Sequence, residues 1–257
     1  MVTSQLVNGR AHDTVPEVNG NGNGSTTCLQ RLLVIEDERD AARLVEFTLQ
    51  RAGYEVYCAG TVDEAFAIIE QVGLPHLAVV DIMLPGKDGF EFCREVQQYS
   101  DLPIILLSAI NETETVVNGI RHYAEDYVIK PYQPRELVAR VERVLRRIGD
   151  FAYTLGPLTQ VDEHLAIDFA HQQAYVRGRP VAITPVETKI LYILMRNAGR
   201  VVGTDFLLRR LWPFEDVFED TLRVHIHRLR QKIEPVSGRA NYILTERGAG
   251  YRFPLVS

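Results

Sequence analysis

The stretch Leu77-Ala78-Val79-Val80-Asp81 is a continuously apolar run that ends in a carboxylate. A strand has this pattern when helices cover both faces of a parallel sheet, because every apolar side chain on it is then buried. The apolar runs Leu32–Ile35, Ile104–Leu107 and Tyr127–Ile129 are likewise followed by a polar side chain. The sequence therefore predicts a parallel sheet whose strands end in polar residues.

Strand-like runs alternate with helix-like periods over residues 31–147. The predicted strands cover 31–35, 54–58, 76–80, 103–107 and 126–129, and the predicted helices cover 38–52, 62–72, 88–98, 112–122 and 133–147. This alternation predicts an α/β domain, a doubly wound five-stranded parallel sheet with helices on both faces. Residues 1–30 contain an Asn-Gly repeat and few large apolar side chains, which predicts a flexible tail.

Five polar residues at the strand ends are expected to meet at one point. They are Glu36, Asp37, Asp81, Ser108 and Lys130. In open α/β sheets, chemistry collects at the carboxyl ends of the strands. Three carboxylates, a hydroxyl and an ammonium at that edge describe a site that holds a divalent metal and receives a phosphoryl group. One Asp after a strand is more often a turn residue, so the prediction depends on the five together.

Composition limits the class of protein. A chain of 257 residues suits one or two domains. Its three cysteines are odd in number and widely spaced, which argues against a disulfide framework or a cysteine metal site. No apolar run approaches the about 18 residues that span a bilayer, and the N-terminus lacks the apolar core of a signal peptide. We therefore expect a soluble, cytoplasmic protein with no membrane partner.

A linker at 148–154 separates this domain from residues 155–257, which follow a different plan. Short strand-like pieces over 155–183 predict a small antiparallel sheet. Thr184-Pro185-Val186-Glu187 has the form of a capping box at the start of a helix. Two more helices at 204–211 and 219–233 and a hairpin at 243–253 complete an α+β winged helix-turn-helix.

The predicted helix 219–233 has an apolar face and a basic face. Leu222, Ile226, Leu229 and Ile233 recur at helical spacing and predict the packed face. The candidate DNA-binding residues on the other faces and in the hairpin are Thr221, Arg223, Val224, His227, Arg228, Arg230, Thr245 and Arg247. A basic helix face alone is usually only solvated. Here the winged-helix context predicts a helix in the major groove, where arginine suits guanine edges and phosphates.

The charged residues are also distributed differently between the two halves of the chain. The net charge is -6, but the excess of acidic residues lies in 1–150, whereas 151–257 carries a small excess of basic ones. The imbalance agrees with a metal or phosphate site in the first half and a polyanion partner for the second, although it is weak by itself.

At this point the chain resembles the two-component response regulators of the OmpR/PhoB family. The motifs are Val34–Glu38, Asp81–Gly89, Glu125–Pro131 and Val224–Lys232, and the resemblance covers residues 31–257. It implies a flavodoxin-like receiver domain over 31–147, followed by a winged-helix DNA-binding domain over 155–257.

The resemblance implies that Asp81 accepts a phosphoryl group from a phosphohistidine of a sensor histidine kinase. Mg²⁺ would be held by Glu36, Asp37, Asp81 and the backbone carbonyl of Met83, since this cation prefers oxygen ligands. We therefore expect a transcriptional regulator of promoter DNA, and not an enzyme.

Three further residues have implied roles in the switch. Lys130 would neutralise charge on the phosphoryl oxygens, and Ser108 would hydrogen-bond one of them. Tyr127 would then rotate into the space that Ser108 vacates. Two apolar residues, Met83 and Ile110, stand two positions beyond Asp81 and Ser108, so we expect poor positioning of an attacking water and a long-lived aspartyl phosphate.

The resemblance also implies a homodimer on phosphorylation, through 112–122, 126–129 and 133–147. The candidate pairs across the two-fold axis are Asp126 with Arg140, Glu125 with Arg143, and Arg121 with Glu142. Such a dimer would carry two effector domains onto tandem half-sites about one helical turn apart. Tyr123 stands where the family often has glycine, which suggests an altered dimer face. The acidic and aromatic segment 212–218 is a candidate contact for RNA polymerase.

Two other functions fit part of the pattern. A phosphorylation-independent DNA-binding regulator would use the receiver domain as a constitutive dimer. A phosphohydrolase would use Asp81 as nucleophile, but such enzymes usually need a second carboxylate two residues later, where this chain has Met83.

Overall fold

The computed structural model describes residues 29–109, 123–148, 153, 155–234 and 241–255. The predicted helix 112–122, nearly all of the predicted tail and most of the predicted linker lie outside the described residues. In the first half the strands are β1 (Arg31–Ile35), β2 (Glu55–Ala59), β3 (Leu77–Asp81), β4 (Ile104–Ala109) and β5 (Asp126–Lys130). The described helices are α1 (Arg39–Arg51), α2 (Val62–Val72), α3 (Gly89–Val96) and α4 (Pro134–Ile148).

The five strands form one parallel sheet, as predicted, and their order is β2-β1-β3-β4-β5. Alternate residues of β1 to β4 enter separate cores: on β3, Val80 packs in one apolar cluster and Val79 in the other. Both faces of β3 are therefore buried, which explains its unbroken apolar run.

The loop after β3 is held close to the sheet. The Asp88 side chain accepts a hydrogen bond from the backbone N–H of Glu91, and the Glu91 carboxylate accepts one from the backbone N–H of Asp88, so a capping box begins α3. Asp88 is therefore the N-cap residue of α3. A Cβ atom on Gly89 would lie 2.2 Å from the carbonyl oxygen of Asp81. Only glycine permits this approach, which brings the start of α3 against the end of β3.

The second half begins with an antiparallel sheet of β6 (Thr159–Gln160), β7 (Leu165–Asp168), β8 (Gln173–Val176) and β9 (Arg179–Ala182). Three helices follow, namely α5 (Pro185–Arg196), α6 (Thr204–Leu211) and α7 (Glu219–Ile233). A three-stranded sheet joins β10 (Val202–Gly203), β11 (Leu244–Glu246) and β12 (Gly250–Arg252) in the order β10-β12-β11. This is the predicted winged helix-turn-helix.

Helix α5 is buried on every side. The predicted capping box is present, with Thr184 and Glu187 bonded reciprocally. All residues from Glu187 to Met195 are buried, since one apolar cluster continues from the first half into the second and includes Phe92, Val96 and Tyr192. The two halves thus share part of one core. Among the described residues, no helix is long and apolar enough to cross a membrane.

Candidate functional site

Three carboxylates lie together where β1 and β3 end. Glu36 and Asp81 are buried, whereas Asp37 is exposed. One oxygen from each of the three lies within 4.8 Å of the others. An exclusively oxygen donor set of this kind suits a hard divalent cation such as Mg²⁺. Three of the five residues that the sequence placed at this sheet edge are therefore adjacent, and their chemistry fits the expected ion.

Lys130, at the end of β5, reaches two of these carboxylates. Its Nζ atom lies 2.6 Å from Oε2 of Glu36 and 2.6 Å from Oδ2 of Asp81. Burial raises the pKa of Glu36 above its ordinary value, against the opposing hydrogen bond from Lys130. Burial lowers the pKa of Lys130, but the hydrogen bonds to Asp81 and Glu36 outweigh it, so that pKa lies above its ordinary value. Lys130 therefore stays cationic beside the carboxylates.

The other predicted switch residues lie on the neighbouring strands. Ser108 is buried on β4, and its hydroxyl donates to the carbonyl oxygen of Ala109 at 3.2 Å. Tyr127 on β5 is 44% exposed, so its side chain is not packed into the core. Ile110 lies outside the described residues. The side chain of Met83 is 73% exposed, beside the acidic cluster.

A basic face lies on α7, opposite its packed side. Leu222, Ile226, Leu229 and Ile233 are buried, as predicted. The exposed residues that the sequence predicted to contact DNA are Thr221, Arg223, Val224, His227 and Arg228 on α7, with Thr245 and Arg247 on the hairpin. A groove of about 530 Å³ separates the start of α7 from the hairpin turn. The helix and the hairpin thus lie on either side of the groove, as do the two DNA-contacting elements of a winged helix.

Comparison with known proteins agrees with both halves. Residues 32–142 match the family model described as response regulator receiver domain, and residues 178–253 match that described as transcriptional regulatory protein, C terminal. The chain is 36% identical over 230 residues to "Probable transcriptional regulator ycf27" of Porphyra purpurea and to the protein of the same description from Pyropia yezoensis. Each match covers 87% of this chain and 94% of the relative.

The chain belongs to the OmpR/PhoB family of two-component response regulators. Among solved structures it is similar to response regulator DrrB of Thermotoga maritima, an OmpR/PhoB homolog, at 32% identity and a TM-score of 0.42, over 88% of this chain and all of that one. We call the elements from β1 to α4 the receiver domain, and those from β6 to β12 the effector domain of this response regulator.

Residues predicted for a dimer face of the response regulator pair within one chain. Asp126 accepts from Arg140 at 3.1 Å and from Arg143 at 2.5 Å. Within the chain, Glu125 pairs with Arg147 and with Arg210 of the effector domain. Glu142 is exposed, and Arg121 lies outside the described residues. Neither Arg147 nor Arg210 was singled out from the sequence.

Arg230 differs from the other predicted DNA-binding residues of the response regulator. Its Nε donates to the carbonyl oxygen of Ile243 at 2.9 Å, and a terminal nitrogen donates to the hydroxyl of Thr245 at 2.8 Å. The guanidinium also lies 6.0 Å from the ring centre of Tyr251. Through these contacts, Arg230 holds the hairpin against α7. Helical spacing predicted that Arg230 lies beside the basic face of α7, but it could not show that Arg230 bonds to the hairpin.

Proposed function

We propose that this response regulator accepts a phosphoryl group on Asp81 from a sensor histidine kinase, and that phosphorylation drives a receiver dimer onto tandem promoter half-sites. The observation that carries the proposal is the contact of Lys130 with both Glu36 and Asp81 at the end of the parallel sheet. Phosphoryl transfer between two anions requires positive charge that offsets their repulsion. The ammonium of Lys130, in contact with the carboxylates, supplies such a charge.

An oxygen of Asp81 forms the new bond to phosphorus, and the bond from phosphorus to the imidazole nitrogen breaks with its electrons on that nitrogen. Lys130 places an ammonium beside the accepting oxygen, where negative charge gathers on the phosphoryl group. Glu36, Asp37, Asp81 and the backbone carbonyl of Met83 would hold Mg²⁺, whose charge, when bound, also offsets that of the phosphoryl oxygens.

Ser108 and Tyr127 form the switch in this proposal. Ser108 gives up its bond to the Ala109 carbonyl and donates instead to a phosphoryl oxygen. Tyr127, whose side chain is exposed in this structure, turns inward into the vacated space. The resulting change on the receiver surface favours the dimer, which raises the effective concentration of two effector domains on DNA.

The exposed face of α7 enters the major groove, and the hairpin turn lies on the neighbouring backbone. Arg228 and His227 are exposed on the outer side of α7, while Arg247 marks the hairpin turn. In the segment 212–218, Phe214 and Phe218 expose apolar rings in an acidic sequence, which supports a contact with RNA polymerase. A phosphohydrolase is disfavoured, since exposed Met83 stands where its second carboxylate is needed.

The test compares wild type, Asp81→Asn and the exposed control Asp63→Asn after incubation with a small phosphodonor and Mg²⁺. We expect one added phosphoryl group by intact mass in wild type and in the control only, with a shift to dimer on size exclusion and tighter binding to promoter DNA. Equal DNA binding by wild type and Asp81→Asn under these conditions would favour the phosphorylation-independent regulator instead.

A further inference from the structure

The effector domain packs on the receiver domain through polar and aromatic contacts as well as through the shared core. Lys189 donates to the carbonyl oxygen of Gln97 at 2.7 Å. The ring of Tyr123 in the receiver lies 6.2 Å from that of Phe214 in the effector, within the range of favourable ring pairs. The two domains therefore present their surfaces to one another in a defined arrangement.

A cleft of about 490 Å³ lies where the two domains meet. Asp101 and Glu125 line it from the receiver, and Phe206 and Arg209 line it from α6 of the effector. The volume falls within the about 300–1,000 Å³ of sites that bind small molecules. Both domains thus contribute walls to one cavity of ligand size.

Four arginine side chains of the described residues line this cleft, and three of them are bonded to receiver acceptors. Arg196 donates to the carbonyl oxygen of Asp101 at 2.9 Å. Arg210 pairs with Oε1 of Glu125 at 2.6 Å and with Oδ2 of Asp101 at 3.2 Å, and Arg147 pairs with the other oxygen of Glu125. These guanidinium groups are held in position before any ligand arrives.

The fourth arginine, Arg209, is exposed and has no hydrogen bond or ion pair with any described residue. Burial raises the pKa of Glu125, but the hydrogen bond and charge of Arg210 outweigh it, so that pKa lies below its ordinary value and Glu125 is an anion. Within the described walls, four guanidinium groups still outnumber the two carboxylates. The cleft therefore carries an excess of positive charge, and guanidinium groups bind phosphate oxygens in pairs.

Two further side chains suit a nucleotide base. The ring of Phe206 is 41% exposed, and the guanidinium of Arg210 lies 5.9 Å from its centre. Bases stack on aromatic rings and on guanidinium planes. Asn197 also lines the cleft; its Nδ2 donates to the carbonyl oxygen of Ile193 at 2.8 Å, while its Oδ1 has no donor in the described part of the chain. This oxygen can accept from an exocyclic amino group of a base.

We propose that the cleft between the domains binds a nucleoside diphosphate whose base carries an exocyclic amino group. The phosphates contact Arg209 and the arginines already held in place, the base stacks on Phe206, and its amino group donates to Asn197. This binding site goes beyond the proposed function and does not depend on phosphorylation of Asp81.

The test is isothermal titration calorimetry of the full chain with ADP, adenosine, pyrophosphate and UDP. EDTA is present, so that no divalent cation carries nucleotide phosphates to the acidic cluster at Asp81. We expect ADP to bind at least about tenfold more tightly than adenosine, which lacks the phosphates, and than pyrophosphate, which lacks the base. UDP, whose base has no exocyclic amino group, should bind about fivefold more weakly than ADP.

Two exposed positions on α6 test the site without removing the ion pairs of Arg210. Arg209→Gln removes one guanidinium, and Phe206→Leu keeps an apolar side chain but removes the ring. Each should raise the dissociation constant of ADP by about tenfold. Arg200→Gln is the matched control, since Arg200 is exposed in the effector domain and is not part of the cleft wall, and it should bind ADP as wild type does. All three variants should unfold at the wild-type temperature.

Absence of ADP binding by wild type would overturn the proposal, as would equal affinity in wild type, Arg209→Gln and Phe206→Leu, because ADP would then lie elsewhere. Pyrophosphate binding as tight as that of ADP would overturn the assignment to a nucleotide, and equal binding of UDP would overturn the role of Asn197. A larger loss of affinity in Arg228→Gln than in Arg209→Gln would place ADP on the DNA-contacting face of α7, against the proposal. Each of these outcomes is independent of whether Asp81 accepts a phosphoryl group.

Discussion

The ammonium nitrogen of Lys130 lies 2.6 Å from Oδ2 of Asp81. The backbone N–H of Met83 donates to the other oxygen, Oδ1, at 3.0 Å, so both oxygens of the carboxylate have a partner. In the proposed phosphoryl transfer, these partners hold the carboxylate in place before the donor arrives and so favour orientation and charge stabilisation in the transition state.

Replacement of Lys130 by Met should slow phosphorylation of Asp81 by a small phosphodonor by about 10²–10³-fold, the usual effect of removing one charge-stabilising group. A time course of intact mass measures the rate. Lys87→Met is the control, since Lys87 makes only exposed ion pairs with Asp63 and Glu95. Equal rates in Lys130→Met and wild type would contradict a role for Lys130 in the transfer.

The aspartyl phosphate should last for minutes or longer in Mg²⁺, because the exposed thioether of Met83 cannot orient an attacking water. Met83→Glu introduces a carboxylate at this position and should shorten the half-life by about tenfold or more. The loss of phosphoryl mass after removal of the donor measures it, and Met83→Leu keeps the apolar character as control. A wild-type half-life of seconds would show that another group positions the water.

Arg228 and Arg230 lie two residues apart on α7, but replacing each by alanine should have different effects on DNA binding and on stability. Arg228→Ala should weaken promoter binding by about 1–3 kcal/mol and change the free energy of unfolding by less than about 0.5 kcal/mol. Arg230→Ala should lower the free energy of unfolding by about 1–3 kcal/mol, because the carbonyl of Ile243 and the hydroxyl of Thr245 lose their donor. Urea denaturation and DNA titration test both, and equal stabilities would refute the anchoring role of Arg230.

Lys189 should make stability depend on pH above neutrality. Burial lowers its pKa from 10.5 to about 8, with opposing charge from Asp101 and a further lowering by Arg210. Between pH 8 and 10.5 the unfolded chain binds more protons at this residue than the folded chain does. The contribution of Lys189 to the free energy of unfolding therefore rises with pH through that interval, on the order of 1 kcal/mol per pH unit.

The measurement is the difference in free energy of unfolding between wild type and Lys189→Met from pH 7 to 10. A difference is needed because other groups act in the opposite direction, such as Cys93, whose thiol pKa is raised by burial. The difference should move in favour of wild type as pH rises. A flat difference would mean that Lys189 keeps its ordinary pKa in the folded protein.

The sheet and its acidic edge could be predicted because their signals are local. A strand buried on both faces, such as β3, must be apolar throughout, and the residue after it must lie at the sheet edge. The capping box at Thr184 and Glu187 is likewise contained within four residues. Each of these patterns can be interpreted without knowing what the rest of the chain does.

The contacts between the domains could not be predicted in this way. Lys189 and its acceptor Gln97 are 92 residues apart, and Arg210 lies 85 residues from Glu125. An exposed and a paired arginine are identical in sequence, and only tertiary packing distinguishes Arg228 from Arg230. Tyr123 was noticeable as a departure from the family, but its partner Phe214 depends on how the domains pack.

The burial of α5 on every side affects which effector domains can be joined to this receiver in a hybrid protein. Glu187 on one side of the helix bonds Lys232 of α7 at 2.7 Å, and Lys189, two residues on, bonds the receiver. A hybrid that joins this receiver to an unrelated effector would leave the carbonyls of Gln97 and Asp101 without matching donors. The two domains of this chain are fitted to one another, so a hybrid built on this receiver would keep these contacts only if it also carried α5 and α6.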